Sequence, residues 1–166
     1  MSLAAPTLTV SLADYGDPAD AAALVALLDA YARDPMGGGE PLSQETRDTL
    51  VDALASIPGA FSLIARLDDV HVGLANCFTG FSTFAAAPLV NIHDMAVLPG
   101  HRGTGIGKAL MAAVEAEALK RGACKITLEV LTGNETANAL YAKCGYGDYE
   151  LDPAAGNALF WQKKLT

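Results

Sequence analysis

The sequence predicts one α/β domain, and three observations carry that expectation. Leu89 to Val97 reads as a strand, a helical apolar stripe begins at Ile106, and Lys125 to Leu131 is β-like, so a βαβ unit fits within about forty residues. An antiparallel hairpin precedes that unit. The chain has 166 residues, 51% of them hydrophobic and 18% charged, the size and balance of a single folded domain.

The elements follow in order. Leu8 to Leu12 forms a short first strand. Asp17-Pro18 opens a helix with Leu24, Leu27, Leu28 and Tyr31 on one face, and the helix stops before Pro35. "MGGGEP", Met36 to Pro41, is the most flexible-looking stretch. A second helix places Leu50, Ala53, Leu54 and Ile57 at helical spacing and ends at Pro58-Gly59, so the two helices are expected to form a mobile rim. Phe61 to Leu67, a turn at Asp68-Asp69 and Val70 to Phe78 make the hairpin. The strand "LVNIHDMAV" lies between Pro88 and Pro99, and the stripe Ile106, Leu110, Ala113, Val114 and Leu119 ends at Lys120-Arg121-Gly122, as a helix C-terminus should. In the β-like stretch Ile126, Leu128 and Val130 share a face. A short helix, Glu135 to Lys143, and strands at Tyr146 to Glu150 and Ala158 to Leu165 complete the domain, which spans residues 1–166 without a repeat or linker. Strand–helix–strand connections are right-handed and parallel, with ligands at the strands' C-terminal edge.

Composition narrows the function. Eleven basic against 19 acidic residues give a net charge of −8, which argues against a nucleic-acid surface and against anionic lipid, and favours a cationic partner. Cys77, Cys124 and Cys144 are odd in number and lack C-x-x-C spacing, so free thiols are expected and neither a disulfide framework nor a metal site. The N-terminus has no basic region before an apolar run, and Ala21 to Leu28 is too short to span a bilayer; a cytoplasmic protein with no membrane partner is expected.

"HRGTGIGKAL", His101 to Leu110, places glycines between the strand and the long helix. Backbone without side chains lets several N–H groups converge on an anion at a helix N-terminus. A Walker A loop fails at both ends, with Arg102 at its first position and Ala109 at its last, and a dinucleotide fingerprint fails because Lys108 fills the third glycine slot. The residues spell R-x-x-G-x-G through Arg102, Gly105 and Gly107. Downstream, "NETANALYAKCGY" sets Asn134, Ala137, Leu140-Tyr141 and Gly145-Tyr146 at fixed spacing.

With these two motifs in this order, the chain resembles the GNAT superfamily of acyl-CoA-dependent N-acyltransferases, by pattern from Phe61 to the end. The resemblance implies a mixed, mostly antiparallel sheet flanked by helices, with a central parallel pair splayed at the acyl-CoA site. It implies acetyl-CoA as cosubstrate and direct attack of a neutral amine on the thioester. It further implies that the Met95, Ala96 and Val97 backbone pairs with the pantetheine arm, that Arg102, Gly103, Thr104, Gly105, Ile106, Gly107 and Lys108 cradle the pyrophosphate, and that Asn134 contacts the CoA arm. Arg102 and Lys108 are read as cations facing phosphate.

Freeing an alkylamine of its proton at pH 7 costs about 4.6 kcal/mol, so a base is needed. By strand alternation His93 and Asp94 point to opposite faces. The family's acceptor-facing position, three before the Ala-Val pair, falls on His93, preferred as base over Asp94 and Asn91 because imidazole titrates near neutrality; a structural histidine, with water carrying the proton, is the alternative. Tyr141 falls where the family carries the tyrosine that protonates the leaving thiolate. More narrowly, "FTGFSTFAAAPLVNIHDMAV" resembles the diamine and polyamine branch. Phe78, Phe81, Phe84, Tyr31, Asn91 and Asp94 are then acceptor-site candidates for a polyamine-like or amino-acid-like amine, with Asp34 and Glu40 adding negative charge from the rim. Competing expectations are a protein N-terminal or lysine acetyltransferase and a non-catalytic acyl-CoA-binding or sensing domain. Strand pairing between subunits is frequent in the family, and "ALFWQKKL" is apolar enough to permit such a homodimer.

Overall fold

In the computed structural model, residues 5–149 and 151–165 are described, and the chain divides into two compact units, Met1–Leu128 and Glu129–Thr166. The first unit carries β1 (Leu8–Leu12), α1 (Pro18–Arg33), α2 (Gln44–Ser56), β2 (Ala60–Leu67), β3 (Val70–Ser82), β4 (Ala87–Val97), α3 (Ile106–Lys120) and β5 (Ile126–Leu128). The strands lie in the order β1-β2-β3-β4-β5. The first four pair antiparallel and β4 pairs parallel with β5, as the βαβ reading requires.

The first two helices begin where their capping chemistry begins. The Asp17 carboxylate accepts the Ala19 N–H at 2.9 Å ahead of Pro18, and the Ser43 hydroxyl accepts the Thr46 N–H at 3.0 Å. Leu24, Leu27 and Leu54 then bury against Ile64 and Leu74. Gly73 precedes Leu74 and faces the other way, where a Cβ would lie 3.1 Å from Leu110 and 3.2 Å from Ile106; α3 therefore covers the opposite side of the sheet. Arg121, just past α3, sits 4.1 Å from the centre of the Phe61 ring and pairs with Glu117 at 2.9 Å, closing that layer. Among the described residues no helix is long and apolar enough to cross a membrane.

Two expectations change here. Residues 36–41 are tightly tied: Gly37 and Gly39 N–H groups bond to the Asp34 carbonyl at 2.8 and 3.1 Å, and the Glu40 N–H bonds to the Ala32 carbonyl at 3.1 Å. Gly37 is obligatory, because a Cβ there would lie 2.0 Å from the Tyr31 carbonyl oxygen. The glycines serve a compact turn, so composition alone misread this stretch as flexible. The second change lies in β4. Asn76 pairs with Asp94 and Cys77 with Ile92, which leaves His93 as an extra residue in a β-bulge.

The second unit is built on α4 (Glu135–Lys143). The Asn134 side chain caps it by accepting the Ala137 N–H at 3.2 Å, and the Tyr146 N–H returns to the Tyr141 carbonyl at 3.0 Å across Gly145. Asn, Tyr, Gly and Tyr of the downstream motif are thus both ends of one helix. Residues 146–149 form no strand, Glu150 lies outside the described residues, and Ala158–Leu165 is irregular and exposed after a 3₁₀ turn at Pro153–Ala155. Both expected C-terminal strands are corrected accordingly. Apolar composition supplies β propensity, but a strand exists only when its backbone bonds to a neighbouring one.

Candidate active site

The parallel pair is short. β5 matches β4 only from Val90↔Ile126 to Ile92↔Leu128, while β4 runs on to Val97. Among the described residues of the first unit the β5-side edge of β4 from His93 to Val97 therefore has no strand partner, and half-buried Met95, Ala96 and Val97 lie along it.

The glycine loop follows directly. Gly103 and Gly105 have φ of +77° and +92°, and a Cβ at either would meet no protein atom within 4 Å. Their lack of side chains answers to backbone conformation and to open space above the loop, not to packing. Gly105 is the N-cap of α3 and supplies no side-chain hydrogen bond, whereas α1, α2 and α4 are each capped by a side chain. The first bond into α3 runs from the Ala109 N–H to the Gly105 carbonyl at 3.0 Å, so the Ile106, Gly107 and Lys108 amides precede it at the positive end of the helix dipole. Ile106 buries its side chain in the core and offers only backbone, while Lys108 is exposed without an ion-pair partner among the described residues. The Thr104 hydroxyl donates to the His101 carbonyl at 2.6 Å. Arg102 is placed differently from the expectation of a phosphate-facing cation: its Nε donates to the Val97 carbonyl at 2.9 Å and its Nη2 to Asp34 at 2.8 Å.

The bulge at His93 replaces simple alternation. The His93 ring meets Phe78 edge-on, 5.5 Å between centroids, and Asp94 Oδ2 accepts from Asn76 Nδ2 at 3.0 Å. Phe78 and Asn76 are two residues apart on β3 and share a face, so His93 and Asp94 lie on one face too. That correction brings the preferred base and its runner-up together, on the side that α1 and α2 cover. Tyr31 of α1 is half-buried there, and burial first, then the Asp94 and Asp34 carboxylates, push its phenol above the usual value.

Behind Asp94 runs a chain that sequence reading missed. Ser62 donates to Asn76 Oδ1 at 2.6 Å, so the Tyr15 hydroxyl, 2.9 Å from Ser62 Oγ, donates to it in turn. Ser62 and Asn76 are 1% and 2% exposed, and burial raises the Tyr15 pKa. All three donors point toward Asp94, which has no cationic partner among the described residues. The signal was the polar Asn76 inside the apolar strand "HVGLANCF".

Other candidates are placed elsewhere. Phe81 and Phe84 are 61% and 99% exposed at the β3–β4 hairpin, so the first unit does not gather them with Tyr31 and Phe78. Asn91 Nδ2 reaches Thr127 Oγ1 at 3.1 Å across the parallel pair. Burial pushes the Cys77 thiol up to about 12, which leaves it unreactive. In the second unit, the Asn134 side chain is engaged in its cap, and the Tyr141 ring lies 6.2 Å from that of Tyr146.

The model of the GNAT acetyltransferase family matches residues 24–146. The chain belongs to that family. Among relatives of this GNAT protein, streptothricin acetyltransferase of Streptomyces lavendulae is 36% identical over 88 residues, 51% of this chain and 47% of that one. An uncharacterised N-acetyltransferase of Archaeoglobus fulgidus is 37% identical over 81 residues, 48% and 55% of the two chains. The chain spans about half the length of these relatives. A structure of an aminoglycoside acetyltransferase from an uncultured soil metagenomic sample, in complex with sisomicin, superposes with a TM-score of 0.75 at 18% identity, covering 96% of this chain and 97% of that one. That of a ribosomal-protein-alanine N-acetyltransferase from Brucella melitensis biovar Abortus 2308 gives 0.66 at 23%, covering 88% and 99%. The five-stranded mixed sheet and four α-helices of the described residues are the GNAT fold.

Proposed function

We propose that the protein is an acetyl-CoA-dependent N-acetyltransferase whose acceptor is a small cationic amine, and that its two units serve one catalytic domain. The observation that carries the reading is the glycine loop: positive-φ glycines, open space above them and an α3 N-terminus without a side-chain cap. Such amides fit a pyrophosphate, and proteins of the family use acetyl-CoA as cosubstrate. The Gly103 to Lys108 backbone and the Lys108 ammonium hold the diphosphate, and Met95, Ala96 and Val97 offer β4 backbone to the pantetheine amides.

Asp94 receives the ammonium of the acceptor, with Tyr31 and Phe78 enclosing its alkyl portion. The support is its place at the end of three aligned donors with no cationic partner among the described residues. His93, on the same face, takes the amine proton and so leaves the lone pair free to attack the thioester. Tyr141 donates a hydrogen bond or proton to the departing thiolate; transfer from a phenol to a thiolate is uphill by only about 2 kcal/mol. The relative that acts on streptothricin supports a small-molecule acceptor, and the "IHD" strand supports one of polyamine-like or amino-acid-like kind.

Thiol release from acetyl-CoA, measured over alkyl diamines, amino acids, aminoglycosides and short peptides, tests this reading. Amine-dependent release with a small cationic acceptor is expected. Release only with peptides, or none above the rate without amine, would refute the acceptor assignment or the transferase reading respectively.

A further inference from the structure

Asp34 and Arg102 are 68 positions apart, yet they meet at the junction of three elements. The Asp34 residue ends α1 and organises the turn behind it: Oδ1 accepts the Met36 N–H at 2.9 Å while its carbonyl accepts Gly37 and Gly39. Its Oδ2 accepts from Arg102 Nη2 at 2.8 Å, and Arg102 Nε holds the last carbonyl of β4, that of Val97, at 2.9 Å. The hydrogen bond from Arg102 holds the Asp34 carboxyl below the usual carboxylate range. One guanidinium fork therefore bridges the strand end and the helix end, just before two glycines with positive φ.

Glycines give the loop many conformations, and a tether at its entrance removes some of them. The Arg102 charge is meanwhile compensated by Asp34, so it is spent on the protein and not on phosphate. Resting on the acyl-CoA reading of the loop, we propose that Asp34, in the turn that links α1 to α2, is a positioning residue for the acyl-donor loop and acts through Arg102.

The alternative, an Arg102 that meets the diphosphate directly, predicts effects of opposite sign, so the two are separable. CoA binding is measured by calorimetry for the wild type, Asp34→Asn, Arg102→Lys and the double variant. In Asp34→Asn the new amide oxygen still accepts the Met36 N–H, so the turn is kept. In Arg102→Lys the ammonium keeps the charge but cannot bridge Val97 and Asp34 together. Each single change is expected to raise the CoA Kd by about three- to tenfold, the loss of one charge-assisted bond. The double variant should be no weaker than the worse single one. KM for acetyl-CoA should rise in parallel while kcat at saturation stays. A tighter complex in Asp34→Asn, or an unchanged Kd in Arg102→Lys, would overturn the proposal. If Asp34→Asn fails to fold, Asp34→Ser, whose hydroxyl can still accept the Met36 N–H, carries the same test. Backbone amide spectra of the ligand-free variants give a readout independent of the ligand: Gly103 to Lys108 should move in both. Moving amides in a protein that does not bind CoA would sink the acyl-CoA reading and keep the tether; unmoved amides would sink the tether.

Discussion

Replacing Asn76 by leucine tests the donor chain behind Asp94. The change keeps the branched shape of the side chain but leaves the hydrogen-bonded Tyr15–Ser62 hydroxyl pair, with Ser62 1% exposed, one acceptor short and Asp94 without its donor. A buried orphaned hydroxyl costs about 1–3 kcal/mol, and a lost bond at a half-exposed carboxylate about 1 more, so about 3 kcal/mol in all. For a domain of this size each kcal/mol lowers Tm by about 2–4 °C, and a fall of about 9 °C is expected by scanning calorimetry. Ser62→Ala in the Asn76→Leu background removes the fully buried member of that pair and leaves only the half-buried Tyr15 hydroxyl without its partner. The double variant should therefore be more stable than the sum of the singles by about 1–2 kcal/mol. Additivity within about 0.5 kcal/mol would refute the chain. The cationic acceptor's KM should also rise in Asn76→Leu while CoA affinity holds.

Gly105→Val forces a β-branched residue to φ near +92° in the space above the loop, and should weaken CoA binding at least about tenfold, read by calorimetry. His93→Ala and Tyr141→Phe should each lower kcat about 10²-fold with CoA affinity retained; an unchanged rate in either removes that residue from the chemistry. Acid should destabilise the fold, followed as Tm against pH. Asp34 and Asp29, each hydrogen-bonded first of all by an arginine, and Asp20, where burial pushes up but the Asp14 and Arg66 hydrogen bonds with the Arg66 and His71 charges together outweigh it, sit below the usual 3.8. The unfolded chain then binds more protons in that range, so the stability they contribute is full above about pH 5 and is lost as pH falls through and below about 3.8.

Elements with strong local signals were legible in the sequence. Asp17-Pro18 marks the start of α1 by capping chemistry, and Lys120-Arg121-Gly122 marks the end of α3. The apolar stretches 146–149 and 158–165 read as strands yet form none, because propensity does not say whether a neighbouring strand exists. The site was legible as far as spacing carries it, to the glycine loop and β4. Alternation separated His93 from Asp94, since a bulge depends on how β4 pairs with β3 and leaves no mark in β4 itself. Arg102 and Asp34 each looked like a charge awaiting a ligand; their pairing joins positions 68 apart, which no local pattern reports. The same distance hid Tyr15, Ser62 and Asn76, which are polar residues of ordinary type until the fold lines them up.

The central claim is that the loop from Gly103 to Lys108 holds the diphosphate of the acyl donor. Titrating acetyl-CoA into isotopically labelled protein and following the backbone amides tests it most directly. The amides of Gly103 and of Gly105 to Lys108 should shift and saturate together with those of Met95 to Val97. S-acetyl pantetheine, which has no diphosphate, should move the β4 amides alone. Saturating binding that leaves Gly103 to Lys108 unmoved would contradict the account.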